Sequence, residues 1–169
     1  MSTYYGIIRN GLEKALKLFP KERKLIDLKL IEGHPEKGNH TITDVCSGEI
    51  FVDASRKYRC YCFFYGTQPL KIGKAGPGSD TRFFRDHYLN DTSIASSLCK
   101  SLNSYSNKQA RFSTESINEE WIRKNTVRIN IIIVPQKDGV PSKTLFFLMS
   151  FIESYLHLQF FPLFEGKTD

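Results

Sequence analysis

The chain has 169 residues, a formal net charge of +6 at pH 7 and a pI of ≈ 9.1. A chain of this length buries enough apolar surface to fold as one domain without a disulfide framework or a structural metal. Its positive charge suits a polyanionic partner, although charge alone does not identify one. We expect no membrane contact, because no run approaches the roughly 18 apolar residues of a membrane span. We expect a cytoplasmic location, because the N-terminus lacks the apolar core of a signal peptide.

The first part of the chain, residues 1–55, is predicted to be an extension that packs on the rest. Tyr5 to Leu18 has the apolar periodicity of an amphipathic helix. Leu25 to Glu32 is compatible with a strand or a short helix, and Gly33 to His40 has the polar composition of a solvated loop. A strand over Glu49 to Asp53 leads into the remainder of the chain. No linker is long enough to make this segment a separate domain.

A β-hairpin is predicted next. Arg59-Cys60-Tyr61 is strand-like, and Gly66-Thr67-Gln68-Pro69 turns the chain into a second apolar run that ends at Gly73. With a three-residue loop around Gly66, Tyr61 lies opposite Lys71 on one face, with Cβ atoms roughly 4.5–5.5 Å apart. A shift of one residue in register would place the two side chains on opposite faces.

The segment after the hairpin is strongly basic. Gly76-Pro77-Gly78 breaks the chain, and Ser79 is a suitable N-cap for a helix that carries Arg82. Thr92 or Ser93 is predicted to begin another helix, in which the buried positions are Ile94, Leu98 and Leu102. From Lys71 in the hairpin to Arg111, cations outnumber anions by seven to three, with Lys71, Lys74, Arg82, Arg85, Lys100, Lys108 and Arg111 against Asp80, Asp86 and Asp91.

The C-terminal third predicts a central strand between two helices. Ser116 is placed to cap the first helix, Val127 to Val134 is an almost unbroken apolar strand, and the second helix runs from Ser142 to about Gln159. Glu153 is the exception in this apolar helix. Ionised carboxylates are seldom buried without a partner or a metal. An ion pair with Arg82 or Arg128 is one explanation for Glu153, and metal binding is the other.

The hairpin, the arginine helix and the late glutamate resemble the GIY-YIG nuclease family. Arg59-Cys60-Tyr61 stands in the place of the first triplet, without its glycine, and Lys71-Ile72-Gly73 in the place of the second, with Lys71 instead of tyrosine. The run from Lys71 to Lys74, followed by Ser79, Arg82 and His87-Tyr88, is similar to a prokaryotic branch of that family. The resemblance implies an α/β fold in which a small three-stranded, antiparallel-type sheet is flanked by helices. Residues 56–169 would form this module, with residues 1–55 as its extension.

The resemblance also implies an activity, that of a Mg²⁺-dependent endonuclease acting on DNA in restriction or phage defence, with Mn²⁺ as a substitute ion. Glu153 would be the sole protein ligand of the metal, as is usual for an ion that keeps several waters. Tyr61 would be the general base, with its pKa lowered by cations, Lys71 first. Arg82 would stabilise the phosphoryl oxygens, and Lys74 would assist electrostatically.

Two adjacent residues after Arg82 are further candidates. The family often has a tyrosine or histidine one helical turn after the arginine, where this chain has Asp86. We expect Tyr88 to contact the attacking water or phosphate and His87 to be a supporting donor, with simple packing as the alternative. Contacts to nucleic acid are expected from Arg85, Lys100, Lys108 and Arg111.

Other functions fit the same residues. A non-catalytic nucleic-acid-binding module of this fold would use the same basic segment, and a nuclease toxin would be held inactive by a cognate protein. DNA is favoured over RNA by the resemblance alone, and RNA is not excluded. The chain could act as a homodimer or with a targeting or inhibitory protein.

Overall fold

The computed structural model describes residues 3–37, 40–52, 57–91, 93–94, 97–106 and 116–164, without the side chains of Val52 and Ser106. The fold is mixed α/β. Its helices are α1 (Thr3–Leu16), α2 (Pro20–Arg23), α3 (Asp80–Phe84), α4 (Leu98–Ser106), α5 (Glu119–Asn125) and α6 (Ser142–Phe160), with a 3₁₀ turn at Asp86–Tyr88. Its strands are β1 (Ile26–Glu32), β2 (Thr41–Thr43), β3 (Ile50–Val52), β4 (Tyr58–Tyr65), β5 (Gln68–Ala75) and β6 (Val127–Pro135).

The main sheet has four antiparallel strands in the order β1-β6-β4-β5, and β2 pairs with β3 separately. The prediction of a three-stranded sheet is therefore wrong. The additional strand is β1, which pairs with β6 from Ile26 opposite Pro135 to Glu32 opposite Ile129. The segment predicted as an extension thus supplies one edge of the sheet. The prediction that β6 is central is confirmed.

Each face of the sheet is covered by helices, which explains why β6 is apolar at nearly every position. On one face, α1 and α6 pack against residues that include Cys60, Phe64 and Ile131. On the other face, α3, α4 and α5 pack around Tyr61 and Phe63. In the described part of the chain, neither α6 nor any other helix has the length and apolarity needed to cross a membrane.

The β4–β5 hairpin differs from its predicted register. Gly66, with φ of 53°, provides the left-handed residue of a two-residue turn, so Tyr65 pairs with Gln68. A bulge then shifts the register between Phe63 and Phe64. As a result Tyr61 pairs with Gly73, and Lys71 with Phe63. The predicted direct pairing of Tyr61 with Lys71 is wrong, but the two residues still share a face because Lys71 and Gly73 are two positions apart.

Two helices begin later than predicted. α4 starts at Leu98, where Ser97 Oγ accepts a hydrogen bond from the Lys100 amide at 3.4 Å. Leu98 and Leu102 are buried as expected, whereas Ile94 precedes the helix and is only partly buried. α5 is capped by Asn118, whose side-chain oxygen accepts from the Trp121 amide at 2.9 Å, rather than by Ser116.

Gly73→Ala tests the packing that fixes the hairpin. A Cβ at this position would lie 2.6 Å from Cζ of Tyr61, and the Tyr61 side chain is fully buried and has no free space to move into. We expect the free energy of unfolding in urea to fall by about 1–3 kcal/mol, the usual cost of overpacking. Gly6→Ala is the control, because nothing lies within 4 Å of its added Cβ and alanine in α1 should stabilise by up to about 1 kcal/mol. Parent-like stability of Gly73→Ala would contradict this packing.

Candidate active site

A cluster of polar side chains lies where β5 forms an edge of the sheet. We call it the Tyr61 cluster; it consists of Tyr61, Lys71, Lys74, Arg82 and Glu153. Tyr61 and Lys71 belong to the face covered by α3, whereas Lys74 pairs in register with Cys60 and lies on the face covered by α6, which carries Glu153. Gly73 lies between the two lysines and has no side chain. At this edge the side chains of the two faces are therefore separated only by the backbone of β5.

Tyr61 is fully buried, and its hydroxyl makes no hydrogen bond of standard geometry with the described residues. Burial raises the pKa of the phenol, and the Arg82 guanidinium is the group that most strongly opposes this rise, followed by Arg128. The expectation that cations lower this pKa is therefore wrong, because burial outweighs them, and the cation that most opposes the rise is Arg82 rather than Lys71. The negative charge of Glu153 raises the pKa of Tyr61, which places the two side chains within electrostatic reach of each other.

Lys71 is also buried, and burial together with the charge of Arg82 lowers its pKa to about 8. Behind Tyr61 lies the fully buried guanidinium of Arg128, 5.3 Å from the centre of the Tyr61 ring. Among the described residues, Arg128 donates to neutral acceptors, namely Asn130 Oδ1 at 2.8 Å, the Tyr88 hydroxyl at 3.0 Å and the Phe83 carbonyl at 2.6 Å. The surroundings of Tyr61 are therefore strongly positive.

Arg82 is the solvent-exposed cation of the cluster. Its helix α3 is anchored by an ion pair of 2.5 Å between Asp80 and the buried Arg59 and by burial of Phe83 and Phe84. Ser79 is at the N-cap position but its side chain makes no capping bond. Tyr61, and more weakly Glu153 and Asp86, raise the pKa of Arg82. A charged guanidinium in this position is available to an anion from solvent.

Glu153 is paired with Lys74, with Oε2 lying 2.8 Å from Nζ. Lys74 also donates to Ser150 Oγ at 3.2 Å, one turn earlier on α6. The ion pair predicted as the alternative to metal binding therefore exists, but its cation is Lys74 rather than Arg82 or Arg128. The Glu153 side chain keeps 19% of its surface exposed, so it remains accessible from solvent.

The donor set at Glu153 suits only a weakly held metal ion. Within the described residues, no group of three or more His, Cys, Asp or Glu side chains could hold a metal. Mg²⁺ commonly binds through one or two carboxylates, substrate phosphates and waters. Glu153 beside an anion site fits that pattern, with Lys74 as a competitor for its carboxylate.

His87 lies beside Tyr61, with ring centres 4.6 Å apart. It is buried, and neither ring nitrogen has a hydrogen-bond partner among the described residues. Burial, with the charges of Arg128, Lys71 and Arg82, lowers the pKa of His87 well below its usual value. His87 is therefore neutral at physiological pH and contributes a packed, polar side chain to the site.

Tyr88 belongs to a different network. Its hydroxyl contacts His34 Nδ1 at 2.9 Å and accepts from Arg128 at 3.0 Å, and the Arg123 guanidinium lies 4.3 Å from its ring centre. The expectation that Tyr88 contacts the attacking water is corrected, because its hydroxyl is engaged in the interior. Of the two adjacent residues, His87 is the one next to Tyr61.

His34 was missed by the sequence prediction of a solvated loop. Its Nε2 contacts the Thr126 carbonyl at 2.8 Å, and burial lowers its pKa to about 4. Neutral His34 thus ties the segment after β1 to Thr126, which lies between α5 and β6. Nothing in the local sequence indicates these contacts of His34, because Tyr88 and Thr126 lie far along the chain.

The predicted nucleic-acid-binding residues are only partly placed. Arg85 is exposed directly after α3 and lies 3.6 Å from Asp86. Lys100 lies on α4 and is partly buried. Lys108 and Arg111 fall outside the described residues. Arg85 is therefore the one of the four that is placed next to the helix of Arg82.

The comparisons with known proteins add no relative: no family model matches the chain, and neither a curated protein nor a solved structure is significantly similar to it.

Lys71→Met tests whether the buried Lys71 ammonium group lowers the stability of the folded protein. The pKa of Lys71 is 10.5 in the unfolded chain and about 8 in the folded protein, so between these values the unfolded state binds more protons and stability rises with pH. Below pH 8 the buried charge destabilises the fold throughout. We expect Lys71→Met to raise the free energy of unfolding at pH 7 by about 1–3 kcal/mol and to flatten the rise towards pH 10.

The control for this substitution is Lys143→Met at an exposed position of α6, which should change stability by less than about 0.5 kcal/mol. Urea unfolding at pH 7 and pH 10 measures both variants. A loss of stability in Lys71→Met at pH 7 would show that Lys71 makes a net stabilising contribution and would contradict the prediction.

Proposed function

We propose that this protein is a Mg²⁺-dependent endonuclease that hydrolyses phosphodiester bonds of DNA. The observation that carries the proposal is that side chains from two strands and two helices lie together at one edge of the sheet. These side chains are Tyr61, Lys71, Arg82 and Glu153. A phenol can serve as a general base, two cations can stabilise the phosphoryl oxygens and a carboxylate can hold a metal ion, so these groups together support phosphodiester hydrolysis.

The electrostatics of the cluster favour an anionic substrate. Lys71 and Arg128 are buried cations, and Arg82 lies exposed in front of them. A phosphate bound by Arg82 would compensate this positive charge and could accept two parallel hydrogen bonds from the guanidinium. The basic net charge of the chain would add attraction for a long polyanion.

Tyr61 is the general base in the proposed mechanism. The phenol must first lose its proton to solvent, a loss that Arg82 favours and burial opposes. A water molecule then attacks the phosphorus in line with the leaving 3′-oxygen, and its proton passes to the Tyr61 phenolate as the new P–O bond forms and the old one breaks. The leaving 3′-oxygen takes a proton from solvent. The Tyr61 oxygen has no exposed surface, so Arg82 must first swing from the phenol to the phosphate. His87, neutral and packed on the Tyr61 ring, keeps the phenol in position.

Glu153 would hold the Mg²⁺ or Mn²⁺ ion at the edge of the cluster. When bound there, the ion supplies neutralising charge for the phosphate and for the leaving oxygen. Lys74 must release the Glu153 carboxylate or share it with the ion, since the two now lie 2.8 Å apart. The setting in restriction or phage defence, the choice of DNA over RNA, and association as a homodimer or with a targeting protein all rest on the family resemblance.

One observation favours a second candidate, a non-catalytic nucleic-acid-binding module. The Lys74–Glu153 ion pair gives the carboxylate a structural partner, and phosphate binding requires neither a base nor a metal ligand. A partner-controlled toxin would share the chemistry of the first proposal. Incubation with supercoiled plasmid, linear duplex, single-stranded DNA and RNA, each with Mg²⁺, Mn²⁺ or chelator, separates an enzyme from a binding module.

Tyr61→Phe tests the base directly. Because the hydroxyl makes no hydrogen bond of standard geometry, its removal should change stability by less than about 0.5 kcal/mol. Single-turnover cleavage should fall on the order of 10²-fold or more, the usual contribution of general-base catalysis. Tyr58→Phe, on the same strand and the opposite face, should cleave normally. Substantial cleavage by Tyr61→Phe would remove the phenol from the mechanism.

Glu153→Gln tests the metal ligand. The variant should lose cleavage while its affinity for DNA in chelator stays within a few-fold of the parent, because the amide cannot replace a carboxylate ligand. Lys74→Met separates this role from the ion pair: it should keep most of its Mg²⁺-dependent cleavage, losing only the electrostatic assistance of the lysine, if the carboxylate serves the metal. Equal loss in both variants would assign Glu153 to the ion pair. Glu120→Gln, at an exposed position of α5, is the control for the charge change.

A further inference from the structure

An exposed aromatic ring lies beside the Tyr61 cluster. Phe146, on α6, has 53% of its surface exposed. Ser150 and Glu153 follow it by four and seven residues, so the three side chains lie along one face of the helix. Lys74 Nζ is 5.7 Å from the centre of the Phe146 ring and 2.8 Å from Glu153 Oε2. The ammonium group therefore connects the ring to the cluster.

The neighbouring Phe147 differs from Phe146 in the contacts of its ring. Phe147 has a similar exposure of 48%, but its ring packs edge-on against Phe19 with centres 5.5 Å apart. Phe147 thus helps to join the end of α1 to α6. Phe146 makes no ring-to-ring contact with any described residue, and its recorded partner is the Lys74 cation. Its exposed face is free to receive another planar group.

We propose that Phe146 is a stacking platform for an unpaired base of the substrate strand, next to the phosphate bound at the Tyr61 cluster. This inference rests on the proposed function, since it requires nucleic acid at that cluster. Bases stack on exposed aromatic rings without regard to sequence because every base has a π-face. The seven residues from Phe146 to Glu153 span about 10 Å of helix, so the stacked base belongs to a nucleotide close to the scissile phosphate.

The proposal narrows the substrate to nucleic acid with unpaired bases near the cut. Within a duplex both faces of each base are covered by neighbouring bases, so a base reaches a protein ring only from a single strand or after extrusion. Single strands, flaps and junctions offer such bases without cost. Lys74 would contribute at the same place by attracting the backbone and by its contact with the Phe146 face.

Binding in chelator tests the proposal without turnover. The full-length protein, Phe146→Ala and Phe147→Ala are titrated with a single-stranded oligonucleotide and with its duplex, and 2-aminopurine in the single strand reports stacking by fluorescence quenching. Phe146→Ala should lose on the order of ten- to a hundredfold in single-strand affinity and most of the quenching, with duplex affinity changed less than about twofold. Phe147→Ala should resemble the parent.

Phe146→Trp and Phe146→Leu refine the result. Tryptophan should restore single-strand binding and quenching, whereas leucine, which is apolar but has no ring, should not. Unchanged single-strand affinity in Phe146→Ala, or an equal loss for single strand and duplex, would overturn the stacking role while leaving the proposed nuclease intact. A parent protein that binds no nucleic acid would overturn both proposals, and intact stacking without cleavage would favour the binding module.

Discussion

The fold around the candidate site depends on the buried guanidinium of Arg128 on the central strand. It donates to the Phe83 carbonyl in α3, the Tyr88 hydroxyl in the 3₁₀ turn and the side chain of Asn130, which in turn donates to the carbonyls of Ile31 and Gly33 at the end of β1. Burying a charge without an acidic partner costs several kcal/mol. Charged hydrogen bonds and the surrounding aromatic rings offset that cost. Arg128 thereby acts with the Arg59–Asp80 ion pair and the buried Phe83 and Phe84 to position the helix that presents Arg82.

The same charge makes the site electrostatically unfavourable in the free protein. Burial, together with the charge of Arg82, lowers the pKa of Lys71 to about 8. Burial, together with the charges of Arg128, Lys71 and Arg82, lowers the pKa of His87 and keeps it neutral. Buried cations and buried polar groups with strongly shifted pKa values, such as Lys71 and Tyr61, are enriched at sites that act on a ligand. A bound phosphate would reduce the repulsion between these cations. The same cations therefore favour the binding of an anion and lower the stability of the free protein.

The sequence predicted those features that depend on local pattern. The unbroken apolar run of β6, the apolar helix α6 and the glycine turn of the hairpin were all found, and so was the shared face of Tyr61 and Lys71. The features that it missed depend on distant partners. β1 became an edge strand by pairing with β6, and His34 contacts Tyr88 and Thr126. Glu153 pairs with Lys74 rather than with an arginine because α6 packs against β5. The roles assigned to Lys108 and Arg111 stay predictions.

The edge position of β5 explains how residues from opposite faces of the sheet can serve one site. Inside a sheet, side chains on the two faces are separated by the strands themselves. At an edge they are separated by one backbone only, and Gly73 removes the side chain that would fill the space beside the Tyr61 ring. Lys71 lies on one face of β5 and Lys74 on the other. Arg82 from α3 acts on Lys71, and Glu153 from α6 pairs with Lys74. A ligand that approached this edge would therefore meet groups from both layers of helices, which neither face alone could provide.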